Sequence, residues 1–380
     1  MHVSGNIRIA LALMLMAGFI ACRQSYSPPA TKNNPSYLVV DGFIHAGQDS
    51  TTILLSRTRN LDSPASQLES GANVTVIGVS GENFPLQEKF AGKYVADHLD
   101  LNSNELYQLR IATRDGKQFL SDYIPVKISP PIDSLTWTQD TLGVHIYVNT
   151  HDQNNNSWYY RWDYIETWKY TSGYQSLFDY INGQIILRPA DQYTYYCYLN
   201  RPSTDIQVAS SIKLSKDIIY KNPIIFIPQG SEKISVMYSS LVKQYVITKE
   251  AYDYWQALKK NSEQLGTLFD AQPTQIAGNM HCSTNPEEPV LGFVSAGSSS
   301  QLRIFVSNVD LSPWFYTPYY GPDCGLRSIP EDSVANYLIG PYPYDYSLLY
   351  KVLNRYQIAL TSCVDCRVHG GVIQKPFFWP

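Results

Sequence analysis

The chain has 380 residues, a formal net charge of −4 and only 16% charged residues, with an isoelectric point near 6.0. No block of Lys or Arg interrupts it, which argues against a nucleic-acid surface or a polybasic membrane surface as partner. Its 30 Tyr and 7 Trp suit half-buried pleated surfaces and places where a side chain is apolar at one end and wet at the other, so composition predicts β structure.

In chain order, the first basic groups are His2 and Arg8, and from Ile9 to Ile20 every residue is apolar or Gly. A membrane-spanning helix needs about 20 apolar residues, so this shorter run, ended by Arg23-Gln24-Ser25, reads as a removed signal peptide over residues 1–21. Phe19-Ile20-Ala21-Cys22 resembles a bacterial lipobox, which makes Cys22 the expected lipidation site; the alternative is an ordinary secretory signal cut near Cys22. Residues 22–35 are polar, contain Pro and lack periodicity, as a flexible tether would.

The segments 37–44, 51–56, 72–77, 92–95, 106–112 and 119–123 read as short strands separated by Gly, Asp or Asn turns, Asp115-Gly116 among them. This spacing predicts an N-terminal immunoglobulin/prealbumin-like β-sandwich over 36–129. The boundary falls at Ser129-Pro130-Pro131, because paired prolines cannot continue a hydrogen-bonded ladder. A larger β-rich domain is expected over 130–380, with one docked helix near 249–265 and a Cys-containing C-terminal segment. Thr248 supplies the helix cap; Ala251, Trp255, Leu258, Ser262 and Leu265 form its stripe, and Gly266 its stop.

Within that domain, segment 158–170 alternates. One face carries Trp158, Tyr160, Trp162, Tyr164, Glu166, Trp168 and Tyr170; the other carries Tyr159, Arg161, Asp163, Ile165, Thr167 and Lys169. The aromatic face reads either as core between two layers or as a platform for a stacked sugar or peptide. Core is favoured, since an open apolar face of that size promotes aggregation. Segments 185–187, 193–199, 224–227, 234–247, 290–296 and 302–307 read as further strands.

Motifs that carry chemistry are missing: there is no phosphate loop, HExxH, GxSxG or calcium loop. Ser210-Ser211-Ile212-Lys213 contains SxxK without its companion motifs. Asp163 and Glu166 lie on opposite strand faces and so cannot form a glycosidase pair there. No cofactor and no metal is expected. In an oxidising compartment, Cys282, Cys324, Cys363 and Cys366 are expected to form two disulfides, leaving Cys197 as a buried thiol. Cys363-Val364-Asp365-Cys366 alternatively reads as a redox CxxC or half of a zinc site.

Taken together, Leu38-Val39-Val40-Asp41-Gly42-Phe43-Ile44, Gly71-Ala72-Asn73-Val74-Thr75-Val76, Pro130-Pro131-Ile132-Asp133-Ser134-Leu135, Tyr159-Tyr160-Arg161-Trp162, Gly278-Asn279-Met280, Val290-Leu291-Gly292-Phe293 and Cys363-Val364-Asp365-Cys366-Arg367 run in an order that resembles a family of Bacteroidetes lipoproteins, domain of unknown function 4249. The resemblance implies an outer-membrane lipoprotein, of a kind often encoded beside TonB-dependent receptors, and it brings no catalytic residues. Arg23-Gln24-Ser25-Tyr26 replaces the acidic stretch of surface-exported relatives, so outer-membrane anchoring is implied more firmly than surface exposure. The leading expectation is a non-enzymatic accessory protein that binds a TonB-dependent receptor, its ligand, or both. The alternative is an extracytoplasmic hydrolase acting on glycan or peptide. Charge-poor aromatic loops at 313–322 and 341–346 make Trp314, Tyr319 and Tyr344 the contact candidates.

Overall fold

A computed structural model describes residues 36–58, 67–263, 276–316, 320, 323–339 and 345–380. The protein is mainly β. Cys22, Tyr319, Tyr344, Leu265 and Gly266 lie outside the described residues.

The first strands are β1 (Leu38–His45), β2 (Thr51–Arg57), β3 (Gln67–Leu68), β4 (Asn73–Gly78), β5 (Asn83–Phe90), β6 (Lys93–Ala96), β7 (Leu106–Ala112), β8 (Gln118–Ser121) and β9 (Ile124–Lys127). Next come β10 (Ile132–Gln139), β11 (Gly143–His151), β12 (Tyr159–Thr171), β13 (Phe178–Ile181), β14 (Gln184–Leu187), β15 (Tyr196–Pro202), β16 (Gln207–Ser210), β17 (Ile218–Pro228) and β18 (Met237–Val246). Helix α1 (Lys249–Glu263) precedes β19 (Met280–Cys282), β20 (Ser295–Gly297) and β21 (Ser299–Ser307). The last strands are β22 (Arg327–Pro330), β23 (Tyr346–Val352) and β24 (Arg355–Leu360).

Period-two alternation drives the N-terminal unit. Leu38, Val40 and Ile44 of β1, Ile53 and Leu55 of β2, Val74 and Val76 of β4, and Tyr107, Leu109 and Ile111 of β7 all point into one buried cluster. Pairing runs β7-β4-β5-β6-β2-β1-β20-β9, and β9 pairs back to β7 through Leu106 and Tyr107, closing an eight-stranded barrel. β5 serves both halves of the ring: Leu86 faces Val74 of β4, while Gln87 faces Val95 of β6.

Two of its strands come from far along the chain. β20 lies parallel between β1 and β9, and β19 extends the sheet beside β8. The expectation that everything after residue 129 builds the second unit is corrected here: segment 280–297 returns to complete the first. Gly278 and Gly292 make that return possible, since a Cβ on Gly278 would strike the Gly292 carbonyl and one on Gly292 the Val40 carbonyl. Gly292 also has φ +125°, which a side chain rarely tolerates. Between them Asn279 brackets the chain, its amide donating to the Val294 carbonyl and its oxygen accepting from the Val294 N–H, both at 2.8 Å.

The second unit sets sheet β10-β11-β17 over sheet β15-β12-β18-β21 with one shared core. Tyr160, Trp162, Tyr164, Trp168 and Tyr170 of β12 all lie in it, so the aromatic face is core. Trp158 stands apart from that face, one residue before the strand, at φ 47°. Helix α1 starts where the sequence predicts, with Thr248 Oγ1 accepting from the Ala251 N–H at 3.2 Å, and it packs Ala251, Tyr252 and Trp255 on the outer face of β12 and β16. A third cluster joins β22-β24-β23 to the β13–β14 hairpin through Ile329, Leu348, Tyr356 and Ile358.

Candidate binding surfaces

The aromatic core is wired as well as packed. Trp162 Nε1–H donates to Gln244 Oε1 at 2.9 Å, and the Gln244 amide donates to the Pro130 carbonyl and Thr150 Oγ1 at 3.0 Å. The inter-unit linker is thereby fixed to the centre of the second core. Glu166, the carboxylate on the aromatic face, accepts from Lys233 at 2.7 and 2.8 Å and from the Tyr238 hydroxyl at 2.8 Å. Burial, then the Glu166 charge, push the Tyr238 hydroxyl well above its ordinary value. Asp163 lies on the opposite face and pairs with Arg161 at 2.9 Å. The two carboxylates of this strand are therefore separated and each already has its counter-ion.

The cysteine expectation needs correction. Disulfides link Cys197 to Cys366 and Cys324 to Cys363, whereas Cys282 is a buried free thiol. Cys282 sits in β19 inside the barrel core, remote in fold from the C-terminal segment, and Cys197 of β15 takes its place. Cys363 and Cys366 go to different partners, so the CxxC is neither a redox dithiol nor half of a zinc site. It is a double clamp, further held by Tyr170, whose hydroxyl donates to the Cys366 carbonyl at 2.7 Å.

Trp314 is also corrected. It is buried in the second core with its Nε1–H on the Ser231 carbonyl at 3.0 Å, so it cannot meet a partner. An indole with its one donor satisfied is core filler. Its neighbour Phe315 is 82% exposed. Tyr316 donates to Glu232 at 3.0 Å, and Tyr320 stacks on His369 with ring centroids 4.2 Å apart.

Sequence reasoning missed the seam between the units. Phe43 and His45 of β1 meet Tyr245 of β18, with ring centroids 4.7 and 6.0 Å away. Arg161 lies 3.9 Å over the Trp255 ring and Tyr254 packs on Phe293. Burial pushes His45 below its ordinary value of 6.5. A hydrogen bond from Ser299 holds the Asp49 carboxyl below the usual range. A groove of 610 Å³ opens between α1 and the β8–β9 corner, lined by Asp122, Tyr123, Glu250, Asp253, Tyr254 and Phe293. A second, of 760 Å³, lies along the linker past Pro130, Asp133, His151 and Asp152. Asp122 pairs with His281 at 2.9 Å and Asp133 with His151 at 2.8 Å. The only signal available in sequence was indirect: the capped helix and the Gly278-Asn279 turn are the two walls of the first groove.

The family model "Domain of unknown function (DUF4249)" matches residues 23–303. The chain belongs to this family. Its match takes in the barrel and the seam and ends inside β21, before the disulfide clamp at Cys324, Cys363 and Cys366. No curated protein matches in sequence. Among solved structures, a two-domain fibronectin type III segment from chicken tenascin is similar at 11% identity, covering 72% of this chain and 99% of that one. Its TM-score is 0.18.

Proposed function

We infer that this DUF4249 protein is a non-enzymatic outer-membrane lipoprotein, anchored through Cys22, that serves as accessory or ligand-binding partner of a TonB-dependent receptor. The observation that carries the binding part is the seam: two grooves between the β units, the first walled by Tyr123, Tyr254 and Phe293, whose carboxylates at Asp122 and Asp133 are each hydrogen-bonded to a histidine ring. Such carboxylates orient a partner; a hydrolase would instead need an acid poised to give up its proton. Two disulfides suit a protein that matures in an oxidising compartment. With Trp314 in the core, the receptor contact moves to the exposed Phe315 beside it. We also read the barrel, whose β5 passes from one half of the ring to the other, as a closed variant of the immunoglobulin/prealbumin-like sandwich.

Anchoring is tested by growth with labelled palmitate. Wild type takes up label and fractionates with outer membrane, and Cys22→Ser takes up none and becomes soluble; equal labelling of the two proteins rules the anchor out.

A further inference from the structure

The outer face of β12 is covered at one end by α1 and at the other by the last residues of the chain. Register places Tyr198, Lys169 and Met237 side by side on that face, with Asn200, Thr167, Ser239 and Phe305 in the next row. The final segment crosses this end: Trp379 sits edge-on to Tyr198 and Phe305, at 5.1 and 5.8 Å between ring centroids. A groove of 460 Å³ remains beneath it, walled by Leu199, Val372, Pro376, Phe377 and Phe378. Its size falls in the range of small-molecule sites, about 300–1,000 Å³.

One cation lines this apolar groove and two more lie beside its walls. Lys375 lines it, Lys169 lies 4.2 Å over the Tyr196 ring, and Arg303 lies 3.5 Å over the Phe378 ring. None of the three makes an ion pair among the described residues; Arg303 donates only to Ser239 Oγ at 3.0 Å. Burial and the nearby Lys375 charge both lower the Lys169 pKa, and burial lowers that of Arg303. Asn200 adds a donor, since its oxygen accepts from Thr167 while its amide nitrogen meets no described partner. Phe377 stands at the lip, 99% exposed. Lys169 and Arg303 are half-buried beside bare apolar surface, where a charge is costly unless an anion joins it, and the exposed Lys375 lies near Lys169.

We propose that this groove binds a small amphipathic anion, its carboxylate or phosphate head held between Lys169 and Lys375 and its hydrocarbon part laid on Leu199, Pro376 and Phe378. Phe377 closes over the hydrocarbon from the open side. The cations come from positions 169, 303 and 375, so no sequence block announces them. This site is separate from the seam and from Phe315, and does not depend on the receptor reading.

Calorimetric titration of the full chain with dodecyl phosphate, laurate, dodecanol and inorganic phosphate tests it, all below micellar concentration. Dodecyl phosphate and laurate bind saturably at one site, and dodecanol and inorganic phosphate each bind at least about tenfold more weakly. The double variant Lys169→Glu/Lys375→Glu loses at least about tenfold in affinity with its melting temperature kept. Should that variant fail to fold, Lys375→Gln, at an exposed position, still weakens dodecyl phosphate binding. Dodecanol binding as tightly as dodecyl phosphate removes the anion, and inorganic phosphate binding as tightly removes the apolar groove. Unchanged affinity in the folded variants, or no saturable binding of either anion, overturns the site.

Discussion

The barrel and the second unit solve the same problem with different side chains. The barrel core is aliphatic, with Leu38, Val40, Ile44, Ile53, Leu55, Val74, Val76, Leu109 and Ile111 around Tyr94 and Tyr107. The second core sets Tyr160, Trp162, Tyr164, Trp168, Tyr170, Tyr238 and Trp314 among its Ile and Val side chains, with the buried polar groups Glu166 and Gln244 beside them. Aliphatic packing is non-directional and tolerates repacking. Aromatic side chains with polar tips also bring donors into the core, and there Trp162 meets Gln244 and Tyr238 meets Glu166. Tyr160, Tyr164, Tyr170 and Tyr238 are thereby explained as structure in the second unit, and Phe315 and Phe377 are the most exposed Phe and Tyr rings among the described residues.

The largest effect sharpening this contrast is expected from Trp162→Ala, which combines lost burial, a cavity and an orphaned Gln244. It should cost about 3–5 kcal/mol, against about 0.5–1.5 for Ile53→Val in the barrel, both read from denaturant unfolding. A Trp162→Ala protein that keeps its stability and loses a ligand would make the aromatic face a platform after all. Next in size, Cys197→Ser/Cys366→Ser should lose about 2–4 kcal/mol while the barrel's own transition stays in place. Mass spectrometry of the unreduced protein should show Cys197 joined to Cys366 and Cys324 to Cys363, with Cys282 free; a bridge involving Cys282 breaks the assignment.

A smaller loss, about 1–3 kcal/mol, is expected from Glu166→Gln, which keeps the shape but weakens three charge-assisted bonds. An unchanged melting temperature would show that Lys233 and Tyr238 are satisfied without it. The smallest effect lies at the seam. The folded His45 has a lowered pKa, so below 6.5 the unfolded chain takes up a proton that the folded chain refuses. Stability therefore declines as pH falls from above 6.5 until the folded pKa is passed. Asp49 adds a loss only under stronger acid, below its ordinary 3.8, as its lowered folded pKa is crossed. His45→Gln should flatten the decline between pH 7.5 and 5.5 in thermal melts; a variant that retains it would place the titrating group elsewhere.

Much of this was legible where period and punctuation agree. The alternation of 38–44, 72–77 and 106–112, the Asp115-Gly116 turn, the Pro130-Pro131 break and the Thr248 cap all locate elements correctly. β19 and β20 were not legible as barrel strands, because three residues carry no period and their partners lie far away in sequence. Spacing alone makes Cys197 the odd thiol because four cysteines crowd the C-terminus, yet pairing follows the sheet, which brings β15 to Cys366. Trp314 read as an interface residue since its neighbours are aromatic and charge-poor; burial of its indole depends on Ser231, which no local pattern points to. Grooves at the seam and the three cations around the last residues arise only when distant segments meet.

The central claim is tested most directly by recovering the native protein from detergent-solubilised outer membrane and identifying what travels with it. A TonB-dependent receptor in near-stoichiometric amount with wild type, and its loss from a folded, membrane-anchored Phe315→Glu protein, is the predicted result. Retention of the receptor by that variant would contradict the contact surface, and recovery of wild type without any such receptor would contradict the accessory role itself.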